Sequence, residues 1–337
     1  MKSLFLTFLF LFMGCAAISY KPLKYNGVSF VASRDSIANT DVEPLLKINA
    51  NAAAVMPFGY IRQLDHPTIA FNTDRMWFGE TIIGAEQCID QLHLSNIRVM
   101  LKPQLWVRRG EFTGKIAMDS EEHWRELEQS YTAFILEFAK LAERKHVDLF
   151  CIGTELELFI KYRPQYWKNL IDQIKEVYKG KLTYAANWDE YWRTPFWDQL
   201  DYIGIDGYFP VSTMQTPTVD DCRKGWQKHK ASMKSLSESK KRPIIFTEYG
   251  YRSVDYAGKK PWFVDYFAEG VNLEAQSNAY TALYEELWSE NWFAGGFIWK
   301  WFVDGERHGG QDSNRFTPQN KPVEEIITSY YKAANLN

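Results

Sequence analysis

The chain has 337 residues, 46% of them hydrophobic and 24% charged, with a formal net charge of −3. That is enough for one large domain, ordinary in composition for a globular protein, and without the basic stripe that nucleic-acid binding calls for. Phe, Trp and Tyr together reach 16%, and their flat apolar faces with polar edges suit either a large core or a surface that stacks sugar rings.

Residues 1–15 have the pattern of a targeting segment. Lys2 precedes an apolar run, Leu4 to Met13, too short to span a membrane, and Gly14-Cys15 closes it. The pattern resembles a bacterial lipoprotein signal in which Cys15 becomes the lipidated first residue, with Phe12 departing from the usual aliphatic residue. Plain secretion with cleavage near Ala16 or Ala17 is the alternative. The expectation is export across the inner membrane and a lipid anchor on the periplasmic or cell-surface side. Residues 16–25 read as a linker and 26–337 as one domain.

From there short apolar runs alternate with amphipathic ones. Residues 27–32 read as a strand, 42–48 as a helix, 52–56 as a strand, 85–94 as a helix and 97–101 as a strand. The clearest helix is 121–146, where Trp124, Leu127, Tyr131, Phe134, Ile135, Phe138 and Leu141 recur at three- and four-residue spacing. Asp119 and Glu122 are expected to form the capping box at its start. Strand 149–152, helix 165–178, strands 182–186 and 202–205, helix 219–237, strand 244–247, helix 273–288, strand 296–299 and helix 322–334 complete the series. Most strands are continuously apolar, as in a parallel sheet buried on both faces. Eight of them predict a single-domain (β/α)8 TIM barrel rather than an open doubly wound sheet, and no G-x-G-x-x-G opens the first unit.

Catalytic groups in such barrels follow the C-terminal ends of the strands. Glu155 follows the fourth run and Glu248 the seventh. Their spacing averages about 31 residues per unit, the pitch of a barrel of about 250 residues, so both carboxyls can face one mouth. Two carboxyls in one mouth suit a retaining glycosidase; position alone leaves salt-bridged supports or metal ligands open. The six histidines show no metal-ligand spacing, and Cys88, Cys151 and Cys222 make neither a disulfide framework nor a zinc pattern and are expected as buried thiols.

The segments CIGTELE (151–157), FTEYGYRS (246–253) and GGFIWKWF (295–302), with LKPQLW (101–106) and FTPQNKP (316–322), resemble glycoside hydrolase family 113 over nearly all of residues 25–335. Thr154 replaces the Asn that many relatives in the wider clan carry before the acid/base, and family 113 is similar to this chain there. The resemblance implies retaining, endo-acting hydrolysis of β-1,4-mannan or glucomannan without a cofactor, by a monomer acting on a polysaccharide or oligosaccharide. It makes Glu155 the acid/base and Glu248 the ionised nucleophile, with Glu157 the rival for the acid. Tyr208 is expected to donate to Glu248 and Trp299 to floor the sugar at the cleavage point, against core roles for both. Asn187, Trp188, Lys102 and Trp106 are expected to line the cleft, against packing or surface roles, and Arg62 is a weaker candidate to steady the nucleophile. The 304–318 loop is expected to shape one end of the groove. A same-fold glycosidase for another hexose polymer or a chain end, and a non-catalytic glycan-binding lipoprotein, stay open.

Overall fold

The computed structural model describes residues 23–264 and 270–336; the targeting segment with Cys15, and linker residues 16–22, lie outside them. In chain order the elements are β1 (Tyr25–Phe30), α1 (Asn39–Lys47), β2 (Ala52–Val55), β3 (Phe58–Ile61), β4 (Ala70–Phe71), α2 (Ile82–Leu94), β5 (Arg98–Leu101), β6 (Gln104–Val107), α3 (Glu121–Arg144) and β7 (Leu149–Thr154). They continue with α4 (Glu157–Tyr162), α5 (Pro164–Val177), β8 (Lys181–Asn187), β9 (Ile203–Asp206), α6 (Val219–Lys240), β10 (Ile244–Tyr249), α7 (Leu273–Leu287), β11 (Phe293–Trp301) and α8 (Pro322–Asn335).

Eight parallel strands close into a barrel in the order β1, β2, β5, β7, β8, β9, β10, β11, with β11 returning to β1. These are the eight runs read from the sequence, and the architecture is a (β/α)8 barrel. Strand side chains alternate between two apolar layers. Ala52, Ala54, Met100, Leu149, Cys151, Ala185, Ile245 and Phe297 form the inner cluster. Their neighbours Ala53, Val55, Val99, Leu101, Phe150, Ile152, Ala186 and Phe246 join helix residues such as Leu127, Phe134, Ile171 and Leu283 in the outer one. Burial on both faces is why the runs are continuously apolar. Cys151 and Cys222 are buried and Cys88 half-buried, all three as free thiols.

Helix α3 buries the stripe expected of it. Its cap differs from the expectation: Ser120, with extended backbone, accepts from the His123 amide at 3.1 Å, while Asp119 pairs with the His123 ring at 2.7 Å. The short hydroxyl side chain at the residue that precedes the first turn is the one placed to reach that amide.

Two departures shape the mouth. A three-stranded sheet, β4-β3-β6, stands beside the barrel. Pro57 and Pro103 lie between β2 and β3 and between β5 and β6, and each lacks the N–H that would continue a ladder. The hydrogen bonding runs up to them, with the Lys102 amide on Val55 O (2.8 Å), and resumes after Pro103, with the Gln104 amide on Pro57 O (2.9 Å), as β3 and β6 leave the wall. Between β8 and β9, a 3-10 turn at Trp197–Gln199 stands where a barrel helix would. At the other end, α8 is fastened to β1. The Tyr331 hydroxyl donates to Gly27 O at 2.7 Å and Asn26 Nδ2 to Asn335 Oδ1 at 2.8 Å.

Candidate active site

Glu248 lies near the end of β10, in register with Asp206 on β9. Three donors converge on its carboxylate. The Lys102 ammonium and Gln104 Nε2 (2.9 Å) reach Oε1, and the Tyr208 hydroxyl reaches Oε2 at 2.8 Å. Lys102 is fully buried and also meets Asp206 Oδ1 at 3.3 Å. Burial works against its charge, but Asp206 and Glu248 outweigh it and hold the ammonium above the usual lysine range. Asp206 also accepts from the Thr247 hydroxyl at 2.7 Å. Its own burial, and then the charge of Glu248, push it upward against the pull of Lys102. Burial and the neighbouring Glu248 likewise raise Tyr208, which therefore stays a donor.

Glu155 directly follows β7 and has φ +51, the left-handed region, at a cost of about 1–2 kcal/mol for a residue other than glycine. The backbone around it is tied down. Its amide donates to Ala185 O at 2.8 Å and its carbonyl accepts from the Thr113 hydroxyl at 3.2 Å. The Leu156 amide donates to the Tyr184 hydroxyl at 2.6 Å. Tyr184 donates in turn to Glu190 Oε1 at 3.0 Å, and Glu190 Oε2 accepts from the Asn187 amide at 3.2 Å. The half-buried Glu155 carboxyl has no hydrogen-bond partner of its own among the described residues. Burial first, then the charges of Asp206 and Glu248, raise it well above the usual carboxylate range, with Lys102 opposing. One mouth thus holds Glu248, whose carboxyl accepts from three donors, beside Glu155, whose partnerless carboxyl is raised by burial and by the charges around it.

The other expected residues fall in different places. Glu157 opens α4 and is engaged by Arg193, whose Nε donates at 2.8 Å. Arg62 is exposed beyond the end of β3, because the chain leaves the barrel at Pro57, and the donors to Glu248 come from elsewhere. Lys102 is sealed beneath the mouth rather than open to the cleft. Asn187 ends β8 and accepts from the Trp188 amide at 2.8 Å; Trp188 is half-buried and stacks on Trp262 at 4.8 Å. Trp299, half-buried, packs on the inner barrel cluster with the Lys300 ammonium 5.3 Å from its ring. Trp106 on β6 is exposed. Sequence reasoning passed over Gln104, Asp206, Tyr184 and Glu190. Asp206 ends an apolar strand and Gln104 follows Pro103 within a run already noted, so position could have flagged both. Among the described residues no group of three or more His, Cys, Asp or Glu could hold a metal ion.

The family model described as Glycoside Hydrolase Family 113 matches residues 29–321. Among solved structures, the chain is similar to the GH113 β-mannanase of Alicyclobacillus acidocaldarius, at TM-score 0.81 and 23% identity over 93% of this chain and 98% of that one. A second structure, named as a GH113 β-1,4-mannanase complex, gives 0.80 and 21% over 93% and 100%. The β-glucuronidase of Faecalibacterium prausnitzii shares the barrel at 0.62 and 18%, over 93% of this chain and 49% of that one. Identities this low speak to the fold. No curated protein sequence matches the chain.

Proposed function

We propose, from the premise that this chain belongs to glycoside hydrolase family 113, that it cuts β-1,4-mannan or glucomannan internally and with retention. Membership makes the protein a glycoside hydrolase acting on a polysaccharide or oligosaccharide. The finer reading rests on one observation, the contrast between the triply hydrogen-bonded Glu248 and the partnerless Glu155, whose burial and charged neighbours raise its carboxyl. Glu248 attacks the anomeric carbon while Glu155 gives its proton to the departing oxygen. The glycosyl ester then removes the charge of Glu248, Glu155 loses its proton more readily, and it takes one from the water that releases the sugar. The choice of mannan is supported by the family and by the names of two similar structures.

The test uses two variants and an aryl β-mannoside with an activated leaving group. Glu248→Ala should be inactive. Glu155→Ala should still form the glycosyl-enzyme, stall, and yield a β-glycosyl azide when azide is added. Inversion at the anomeric carbon, followed by proton NMR, would rule the mechanism out. Azide rescue of Glu157→Ala in place of Glu155→Ala would move the acid by two residues. Turnover of xylan or galactan with none of mannan would overturn the substrate. We further propose that Cys15 carries a lipid anchor outside the cytoplasm, several acyl chains making the attachment stable. Cys15→Ser should move the protein to the soluble fraction; a wild-type protein already soluble and beginning at Ala16 or later rules the anchor out.

A further inference from the structure

Lys102 ties two acids together beneath the mouth. Its ammonium meets Oδ1 of Asp206 at 3.3 Å and Oε1 of Glu248. Lys102 and Asp206 are fully buried, and Glu248 is 7% exposed. The trio therefore holds one cation and two carboxyl groups, an excess of acid where burial penalises charge. Burial and the charge of Glu248 both work against an ionised Asp206. A Lys102–Glu248 pair alone would be balanced and easier to bury, so holding Glu248 in the free enzyme does not account for the second acid. Asp206 is also only partly engaged. Its Oδ1 takes Lys102 and the Thr247 hydroxyl, while its Oδ2 is buried with no hydrogen-bond partner among the described residues. A buried polar atom in that state is uncommon. The charge count changes during the reaction. When one oxygen of Glu248 bonds to the anomeric carbon and the bond to the departing oxygen breaks, the carboxylate becomes a neutral ester. Its carbonyl still accepts a hydrogen bond but offers no charge. A fully buried ammonium left without a counter-ion is strongly disfavoured. With Asp206 present, the trio at that moment is one cation to one anion.

We infer that Asp206 is a positioning residue for the covalent step: it is the counter-ion that keeps the buried Lys102 ammonium paired while Glu248 is held as a glycosyl ester. The inference rests on the double-displacement reading above and adds to it a group that touches neither the substrate nor the reacting atoms. Esterification relieves the excess of negative charge, so Asp206 favours formation of the intermediate. Its unused Oδ2 offers the ammonium a further acceptor once the charge of Glu248 is gone. Without Asp206, the same step would turn a balanced Lys102–Glu248 pair into an unpaired buried cation.

The test starts from Glu155→Ala, which should glycosylate from a dinitrophenyl β-mannobioside and then stall, so that the burst of dinitrophenolate reads the covalent step alone. Asp206→Asn is added to it; Asn keeps the shape and an oxygen for Lys102 and Thr247 and removes the charge. The burst rate at saturation should fall about a hundredfold, with the half-saturating concentration unchanged within about twofold. The same comparison is then made in a Lys102→Met background. No cation is left there to strand, so adding Asp206→Asn should change the burst rate by less than about threefold. A merely structural Asp206 would lose the same factor with and without Lys102, and that result overturns the inference. So does a burst rate that Asp206→Asn leaves unchanged in the first comparison. If the Lys102→Met protein does not fold, the first comparison decides: a fall in affinity in place of burst rate overturns the inference. Absence of a burst in Glu155→Ala with manno-, gluco-, xylo- and galacto-configured aryl glycosides alike means that the double-displacement reading fails, and the inference with it. A burst with one of the other sugars moves the substrate only, and the Asp206 comparison is made on that glycoside.

Discussion

Lys102 places its ammonium on Oε1 of Glu248 from beneath the barrel mouth, in an ion pair whose lysine side is fully buried. The same ammonium meets Asp206, so one cation answers two buried carboxylates. Removing it strands both. Lys102→Met should therefore cost about 3–5 kcal/mol, measured by urea unfolding at pH 7. Adding Asp206→Asn to that variant should recover part of the loss, since one stranded charge is gone. A cost near zero would mean that solvent reaches the pair.

Tyr208 offers a cleaner test of the reacting carboxylate. Its phenyl ring stays in place in Tyr208→Phe, and only the 2.8 Å donor to Glu248 is lost. A hydrogen bond to a charged group contributes about 1.5–3 kcal/mol, so kcat should fall about tenfold to a hundredfold if Glu248 is the nucleophile. An unchanged kcat would argue that the reaction does not pass through Glu248.

The raised Glu155 carboxyl sets an expectation for pH dependence. As the acid, it must be protonated, so its titration forms the alkaline limb of kcat/KM. After burial, the charge of Asp206 is the largest cause of the rise. Asp206→Asn should therefore move the alkaline limb to lower pH, read from a full pH–rate profile. The stability consequence has the opposite sign to that of a salt-bridged acid. A carboxyl raised on folding binds its proton more tightly in the native state, so stability is lost as pH rises from the unfolded value toward the folded one. Glu155→Gln should accordingly stabilise the protein more at pH 8 than at pH 5, by thermal unfolding.

The tie from Leu156 through Tyr184 to Glu190 holds the left-handed turn at Glu155. Tyr184→Phe leaves the buried Leu156 amide without its partner, at about 1–3 kcal/mol. It should slow substrates with poor leaving groups, which need the acid, more than activated aryl glycosides, which do not. Burial pushes Glu190 up to about 8, so near pH 6 it is neutral and Gln is its close isostere. Glu190→Gln should keep most of the activity, while Glu190→Ala should behave like Tyr184→Phe. Equal losses on both substrate classes would reduce the tie to a packing role.

The barrel was legible because its strands are buried on both faces and so lack polar interruptions; Ala52 to Val55 and Ile244 to Phe246 carry none. β3 and β6 were not, because each is four residues long and sits behind a proline that reads as a break. Glu155 and Glu248 stood out as acids ending apolar runs. Lys102 was noticed but misplaced, since a lysine after a strand reads as a rim group until the two carboxylates that bury it are known. Glu190 and Tyr184 were hidden for another reason. Their importance lies in contacts across β7 and β8 with the backbone of Leu156, and nothing in the local composition of LTYAANWDEYW (182–192) marks them.

The seam between β1 and β11, with α8 tied to β1 across it by a hydrogen bond between residues 304 positions apart, orders events during folding. Until β11 and α8 have docked, the barrel is an open sheet with two unpaired edges, at β1 and at β10, each able to pair with another chain. Closure must therefore come late and over the largest sequence separation in the molecule, where loop entropy makes contact formation slow. The protein's exposure to misassembly is concentrated in that interval, and Tyr331 and Asn335 act as the latch that ends it.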